Sequence, residues 1–377
     1  MPQSRLVNDM TPRPTNRRYA FKAAVSMLAG FSPWSADTAR ADAPFYPTVK
    51  PRRLVFPRDH GAHPEYRTEW WYLTGWLGQG QSAVGFQLTF FRSRTQHAPE
   101  NPSRLAPSQL LFAHAAIAMG QENVFVHANR AGRLNGSSLH ADTSDTDLRF
   151  EDWFLRRIQG QASEAYEGHF SDKNFSLSFE ASTNQKVVLR GRDGFSQKGP
   201  RPEQASHYYS RAPLSVNGNV QRGKQKKTLQ GQAWLDHEWS SQLLMPGAVG
   251  WDWVGINLLD GGTLMAFRIR NNQSESIYAH VDVRDREGRP TKEGEPLRWQ
   301  ASGSWRSKSL IDYPIPMDLV IGAELYRLVP LMMAQEVDAR ASTGGFYWEG
   351  AVSLMKGERL LGRGFLELTG YGTPLQL

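Results

Sequence analysis

Val84-Gly85-Phe86-Gln87-Leu88-Thr89-Phe90 carries large apolar residues at alternate positions, the period that places them on one face of a β-sheet. Similar short runs occur at Leu110 to Met119, Phe175 to Phe179, Val187 to Arg190, Thr263 to Ile269, Phe346 to Leu354 and Phe365 to Tyr371. Gly, Asn, Asp or Pro clusters separate them, and no long stretch has a helical period. The stretch also repeats. Trp71-Tyr72-Leu73 through Leu88 can be laid over Asp252-Trp253-Val254 through Ile269 at a constant offset of 181 residues, without a gap. Tyr72 then meets Trp253, Leu77 meets Leu258, Gly80 meets Gly261 and Phe86 meets Phe267. Each copy reads as strand, glycine turn, strand, so the repeat predicts two β-domains of one plan. The polar, turn-rich segment from Tyr209 to Gly231 predicts the boundary, giving domains 42–215 and 216–377.

Composition agrees. The 377 residues are 40% apolar and 21% charged, which is globular, and 12 Trp, 12 Tyr and 18 Phe beside 34 Gly and 22 Pro favour strands joined by tight turns. The fold class is therefore all-β. Sheets this large must hide their edges, and closure into antiparallel barrels is the common solution. A barrel interior, lined by alternate residues of each strand, is the expected place for an apolar ligand. The absence of Cys excludes disulfides, thiolate metal sites and a Cys nucleophile.

Residues 1–41 read as a leader: Asn16-Arg17-Arg18-Tyr19-Ala20-Phe21-Lys22, an apolar run from Ala23 to Phe31, then Ala39-Arg40-Ala41. This order resembles a twin-arginine export signal, with cleavage after Ala41 and a soluble periplasmic product. The apolar run is too short to span a membrane, and the mature chain is expected to hold no membrane segment. Residues 1–41 hold six basic and two acidic groups, so most of the formal charge of +7 lies there. The run Arg222 to Lys227 reads as a solvated loop, and nucleic-acid binding is not expected.

Eight blocks in order carry a family resemblance. They are Glu69 to Gly75, Gln87 to Arg92, Ala113 to Ala116, Tyr208 to Ser210, Ala233 to Trp239, Gly250 to Trp253, Tyr347 to Ala351 and Leu366 to Tyr371. Together they resemble the lipocalin-like family that includes the AttH proteins and the carotenoid 1,2-hydratases, many of them labelled secreted hydrolases. The resemblance implies two tandem lipocalin-like antiparallel β-barrel domains. It further implies an exported protein that binds an apolar, lipid or isoprenoid-like molecule and is associated with an ABC transport system. Its enzymatic alternative is a hydratase or hydrolase acting on an isoprenoid or carotenoid-like substrate by acid–base catalysis. The Trp-Trp-Tyr and Tyr-Trp-Glu-Gly blocks are similar to the AttH branch. The hydratases resemble this chain at His237 and Trp239, whereas Phe267, Arg268 and Ile269 stand where they carry a tyrosine–aspartate pair.

Asp236-His237-Glu238 is the densest polar cluster, and these three are the candidate catalytic residues. On a strand, Trp234, Asp236 and Glu238 share one face while Leu235, His237 and Trp239 share the other. Adding water to an isoprenoid double bond needs an acid, a group that activates water, and an aromatic or carboxylate facing the cation. A carboxyl raised by apolar surroundings is the candidate acid, with His237 as base. Trp239, Trp251, Asp252, Trp253, Trp71, Tyr72 and Tyr209 are the candidate ligand-binding residues. The competing reading makes the cluster structural, since buried Trp N–H groups need acceptors such as Asp236 or Glu238. Glu69 is read as structural. His60 and His63, with Asp59 and His114, offer metal-ligand types, but no spacing pins a third ligand and no metal is expected. A triad of Ser240 or Ser241 with His237 and Asp236 is disfavoured because adjacent strand residues point apart and no G-x-S-x-G elbow occurs. Phosphate-loop and dinucleotide fingerprints are absent, so no cofactor is expected.

Overall fold

The computed structural model describes residues 46–97, 106–158 and 163–375. The leader reading of residues 1–41 falls outside them. The regular structure of the described chain is almost entirely antiparallel strand, arranged in two large sheets with an apolar core each. Both sheets follow one plan. In the first, the order across the sheet is Val124–Arg133, Gln109–Met119, Val84–Arg94, Thr68–Leu77, Gln225–Ser240, Ala205–Arg222, Phe175–Thr183, Glu164–Asp172, Trp153–Ile158, then two short strands. In the second it is Pro290–Glu293, Ser276–Arg284, Thr263–Asn271, Ala248–Leu258, Arg359–Leu368, Phe346–Lys356, Glu324–Pro330, Met317–Ile321, Leu297–Ala301. Two tandem antiparallel barrels result.

The structure corrects two details. Position 215/216 lies within the strand Ala205–Arg222, which pairs with Gln225–Ser240 up to the turn. That second strand then closes the first sheet against Thr68–Leu77. The basic run is the exposed tip of this long hairpin, with Gly223 at φ +54° making the turn, so its polar composition marks exposure rather than a linker. The first sheet extends to Ser240 and the second begins at Ala248. The repeat also needs a gap. Six residues separate Leu77 from its partner Val84, whereas three separate Leu258 from Gly262, whose carbonyl accepts the Leu258 N–H. The first strands therefore correspond at an offset of 181 and the second strands at 178. Phe86 matches Leu264, both facing their own core, while Phe267 matches Thr89.

The barrel interiors are full. Trp71, Leu73, Phe86, Leu88 and Phe90 pack inside the first, and Val254, Ile256, Leu264 and Trp348 inside the second. The expected ligand space within a barrel is taken by side chains. Where the first hairpins face each other, equivalent residues touch: Trp70 stacks on Trp251 at 6.3 Å between ring centroids, and Tyr72 meets Trp253 edge-on at 5.2 Å. Trp76 Nε1 donates to the Gly364 carbonyl at 2.7 Å, and Asn257 Nδ2, at the equivalent position, donates to the Ala233 carbonyl at 3.0 Å. Self-complementary contacts of this kind are the mark of a two-fold relation, here between two halves of one chain. A Cβ on Gly85 would lie 2.5 Å from that of Ala351, so the barrels meet where glycine permits it.

Candidate active site

Near this pseudo-two-fold contact lies a cavity of about 590 Å³, lined on the aromatic side by Trp70, Tyr72, Tyr208, Trp251, Trp253 and Tyr347. Strand alternation aims the outer faces of both sheets into it. Asp236, opposite Tyr72 in the register, and Glu367, opposite Trp253, occupy equivalent positions and both line it. Tyr208 O–H (2.7 Å), Trp234 Nε1–H (2.7 Å) and the Ser210 hydroxyl all donate to Asp236. Burial nevertheless pushes its carboxyl up to about 6, the three donors and Arg190 holding it from rising further. Among the described residues Glu367 receives one bond, from Trp251 Nε1 at 2.9 Å. Burial pushes it up to about 7, and the negative charges of Asp236, Glu238 and Asp252 add to the rise.

The position that Ser210 holds beside Asp236 is held by Glu349 beside Glu367. Burial and the neighbouring Glu367 keep Glu349 well above the usual carboxylate range. Lys198 closes one wall, 3.0 Å from Glu238 and 4.2 Å from the centre of the Phe267 ring. On the opposite wall Tyr347 O–H meets His114 Nδ1 at 2.7 Å, and His114 Nε2 meets Ser342 at 2.8 Å. Burial lowers His114 to about 3, so it is neutral. The arrangement can hold an apolar molecule between aromatic faces, supply a proton and accept one.

The AttH-like family model matches residues 47–371. This chain belongs to the AttH-like family. A solved structure described as an AttH protein of Nitrosomonas europaea is 38% identical over 86% of this chain and 99% of that chain, with a TM-score of 0.77. Kievitone hydratase from Nectria haematococca shares the lipocalin-like fold at 12% identity, covering 85% of this chain and 94% of its own, with a TM-score of 0.64. No curated protein matches the chain.

In this AttH-like chain the predicted site residues divide among three places. Asp236, Glu238, Tyr72, Trp251 and Trp253 line the cavity. His237, Trp239, Trp71 and Tyr209 face the first barrel instead, where they join a buried polar plug. There His237 Nε2 meets Glu69 at 3.0 Å and its Nδ1 meets Tyr209 O–H at 3.1 Å. His63 lies between Glu69 (2.7 Å) and Asp59 (3.0 Å) and stacks on Trp239 at 3.7 Å, and Arg92 Nε donates to Glu69 at 2.8 Å. Burial disfavours charge on His63, yet Glu69 and Asp59 outweigh it and raise the imidazole. Burial lowers His237 to about 4. His63, Glu69 and His237 have ligand-type atoms within 4.8 Å of one another, but hydrogen bonds and the Arg92 guanidinium already engage them. Asp252 anchors Arg268 (2.6 Å) and Arg270 (2.9 Å) in the second barrel, away from the cavity.

Asp236 and His237 thus lie on opposite faces, as strand alternation predicts, and they cannot act on one substrate as neighbours. This also dismantles the triad of Ser240 or Ser241, His237 and Asp236, since Ser240 Oγ donates to the Ala205 carbonyl. His60 and His63 join the plug, while His114 belongs to the cavity wall. Glu367, Glu349, Tyr347 and Lys198 were not singled out from sequence. The signal was the repeat carried past its first hairpin: Trp234-Leu235-Asp236 corresponds to Phe365-Leu366-Glu367, and Tyr208-Tyr209-Ser210 to Tyr347-Trp348-Glu349.

Proposed function

We propose that this protein binds an apolar, unsaturated small molecule between its barrels and adds water across, or removes it to form, a carbon–carbon double bond. The observation that carries this reading is the pair of raised carboxyls, Asp236 and Glu367, facing one aromatic-lined cavity. In the hydration direction, protonated Glu367 gives its proton to one alkene carbon and the other becomes cationic beside the aromatic wall of Trp70, Trp251 and Trp253. Water attacks the cation and loses a proton to ionised Asp236, so one proton leaves Glu367 and one arrives at Asp236. Exchange with solvent restores both. The hydratase name of one structural relative is compatible with this chemistry, although fold kinship alone does not assign it.

Extraction of the purified protein followed by mass spectrometry should recover an unsaturated apolar compound, and adding it back should quench the cavity tryptophans. Asp236→Asn and Glu367→Gln should bind that compound and fail to convert it. Recovery of no compound, with no quenching by isoprenoids, would count decisively against the reading.

Periplasmic residence is part of the proposal. It is supported by the order of basic, apolar and Ala-x-Ala elements in residues 1–41. Arg17→Lys with Arg18→Lys should trap the precursor in the cytoplasm, and unchanged export would refute it. Among the described residues no helix is long and apolar enough to cross a membrane. Exchange of ligand with an ABC transporter is the corresponding partner proposal, supported by the resemblance and tested by co-purification from cross-linked membranes.

A further inference from the structure

Behind the cavity wall, a chain of buried groups ties Asp236 to the second barrel. Arg190 follows the short strand Val188–Leu189 of the first barrel, and its backbone N–H donates to the Tyr208 carbonyl at 3.0 Å. Its side chain is fully buried and reaches the second barrel, where Nη1 donates to Oδ2 of Asp282, on the strand Ser276–Arg284, at 2.7 Å. Its Nε donates to Ser210 Oγ at 2.8 Å, and its guanidinium lies 5.0 Å from the centre of the Trp234 ring. Two of the three donors to Asp236, Ser210 and Trp234, therefore rest against one arginine.

Chemistry fixes the direction of these bonds. A guanidinium donates and never accepts, so Ser210 receives the Arg190 hydrogen and has its own single proton left for Asp236. Without Arg190 the Ser210 hydroxyl is free to turn and can accept from a protonated Asp236 instead. Among the described residues only Asp282 and Ser210 hydrogen-bond the guanidinium, and its Nη2 has no partner there. We propose that Arg190 and Asp282 are a positioning pair for the base: Asp282, contributed by the second barrel, holds the guanidinium that aims the Ser210 proton at Asp236 and keeps Asp236 a proton acceptor. This rests on the reading of Asp236 as the base. It makes the barrels one unit, because each supplies a residue that readies that carboxylate. The Arg190 charge also opposes the rise that burial gives Asp236. The other ionisable groups about Asp236 are Tyr72, Tyr208, Glu238, Lys198 and Glu367. His280 and Arg284 are those about Arg190 and Asp282, and all of these groups stay in place in the variants below.

Carboxyl NMR of protein labelled with aspartate carrying carbon-13 in its side-chain carboxyl reads the Asp236 midpoint directly, Asp236→Asn marking its signal. The unaltered protein should titrate at about 6. Arg190→Met with Asp282→Leu removes both members of the pair, leaves no fully buried charge alone, and should raise that midpoint by about one unit. In a Ser210→Ala background the same replacement should raise it by no more than about half as much. Asp282→Ala separates anchoring from charge, since loss of a nearby anion by itself lowers a carboxyl whereas release of Arg190 raises it. A rise is expected. No shift in the double variant, an equal shift without Ser210, or no rise in Asp282→Ala overturns the inference and leaves Asp236 as the base. A midpoint at the ordinary value of about 4 in the unaltered protein removes the base reading and the inference with it.

Discussion

The two halves of the cavity descend from one plan and differ at one telling position. In the first half Asp236 is ringed by Tyr208, Ser210 and Trp234, with Arg190 bonded to Ser210 from behind at 2.8 Å. In the second, Glu367 has Trp251 as its one donor among the described residues and a second carboxyl, Glu349, where the serine was. Donors favour the charged form of a carboxyl, and a neighbouring acid favours the neutral one. Under the proposed hydration, this difference makes Asp236 the base and Glu367 the acid.

A second contrast sets the largest expected effect. The plug of the first barrel is tied together by the ion pairs and hydrogen bonds around Glu69, whereas the cavity leaves space for a ligand. Glu69→Ala leaves Arg92 and His63 buried without their shared carboxylate, and breaking a buried ionic network typically costs about 3–5 kcal/mol. Urea unfolding should show this loss; a change below about 1 kcal/mol would place Glu69 outside the scaffold. The cavity acids should behave in the opposite way. Asp236→Asn and Glu367→Gln should leave the fold intact and cut turnover of the extracted compound by about 10²–10⁴-fold each, the usual contribution of a positioned acid or base. Full turnover by either variant would break the assignment.

The pH dependence sharpens it. Turnover needs ionised Asp236 and protonated Glu367, so the rate should peak between about 6 and about 7 and fall on both sides. For stability, a raised folded-state value means that the native chain holds its proton more tightly. The Glu367 contribution is therefore present below the ordinary carboxyl range and lost as pH climbs through about 7. Glu367→Gln avoids that loss, so its melting temperature should exceed that of the unaltered protein at pH 8 and match it near pH 4. A gap that is the same at both pH values would refute the shift. The smallest effect belongs to Ser210→Ala, which removes one donor from Asp236. It should move the acidic limb of the rate profile upward by less than about one pH unit, and a downward move would contradict the hydrogen-bond account.

Much of the fold was legible because alternation and self-similarity are local properties of the chain. Val84 to Phe90 reads as a half-buried strand, and Trp71 and Asp252 begin copies of one hairpin. The three-residue gap was hidden because the glycine turns of both copies tolerate different lengths, and only the pairing of Leu77 with Val84 and of Leu258 with Gly262 exposes it. The domain limit was misplaced because a charged, glycine-bearing hairpin tip has the composition of a linker. For the site, the faces of Asp236 and His237 followed from strand period alone. Which face meets a cavity did not, because that depends on how one barrel lies against the other. Glu367 lies 131 residues beyond Asp236, and only the superposed repeats make them partners.

The most direct test is the location of a bound apolar molecule. Crystals soaked with 2-bromonaphthalene and measured at the bromine edge should show an anomalous peak between the barrels, bounded by Tyr72, Trp251, Trp253 and Glu367. A peak inside either barrel, or no peak while the same compound binds in solution, would contradict the account.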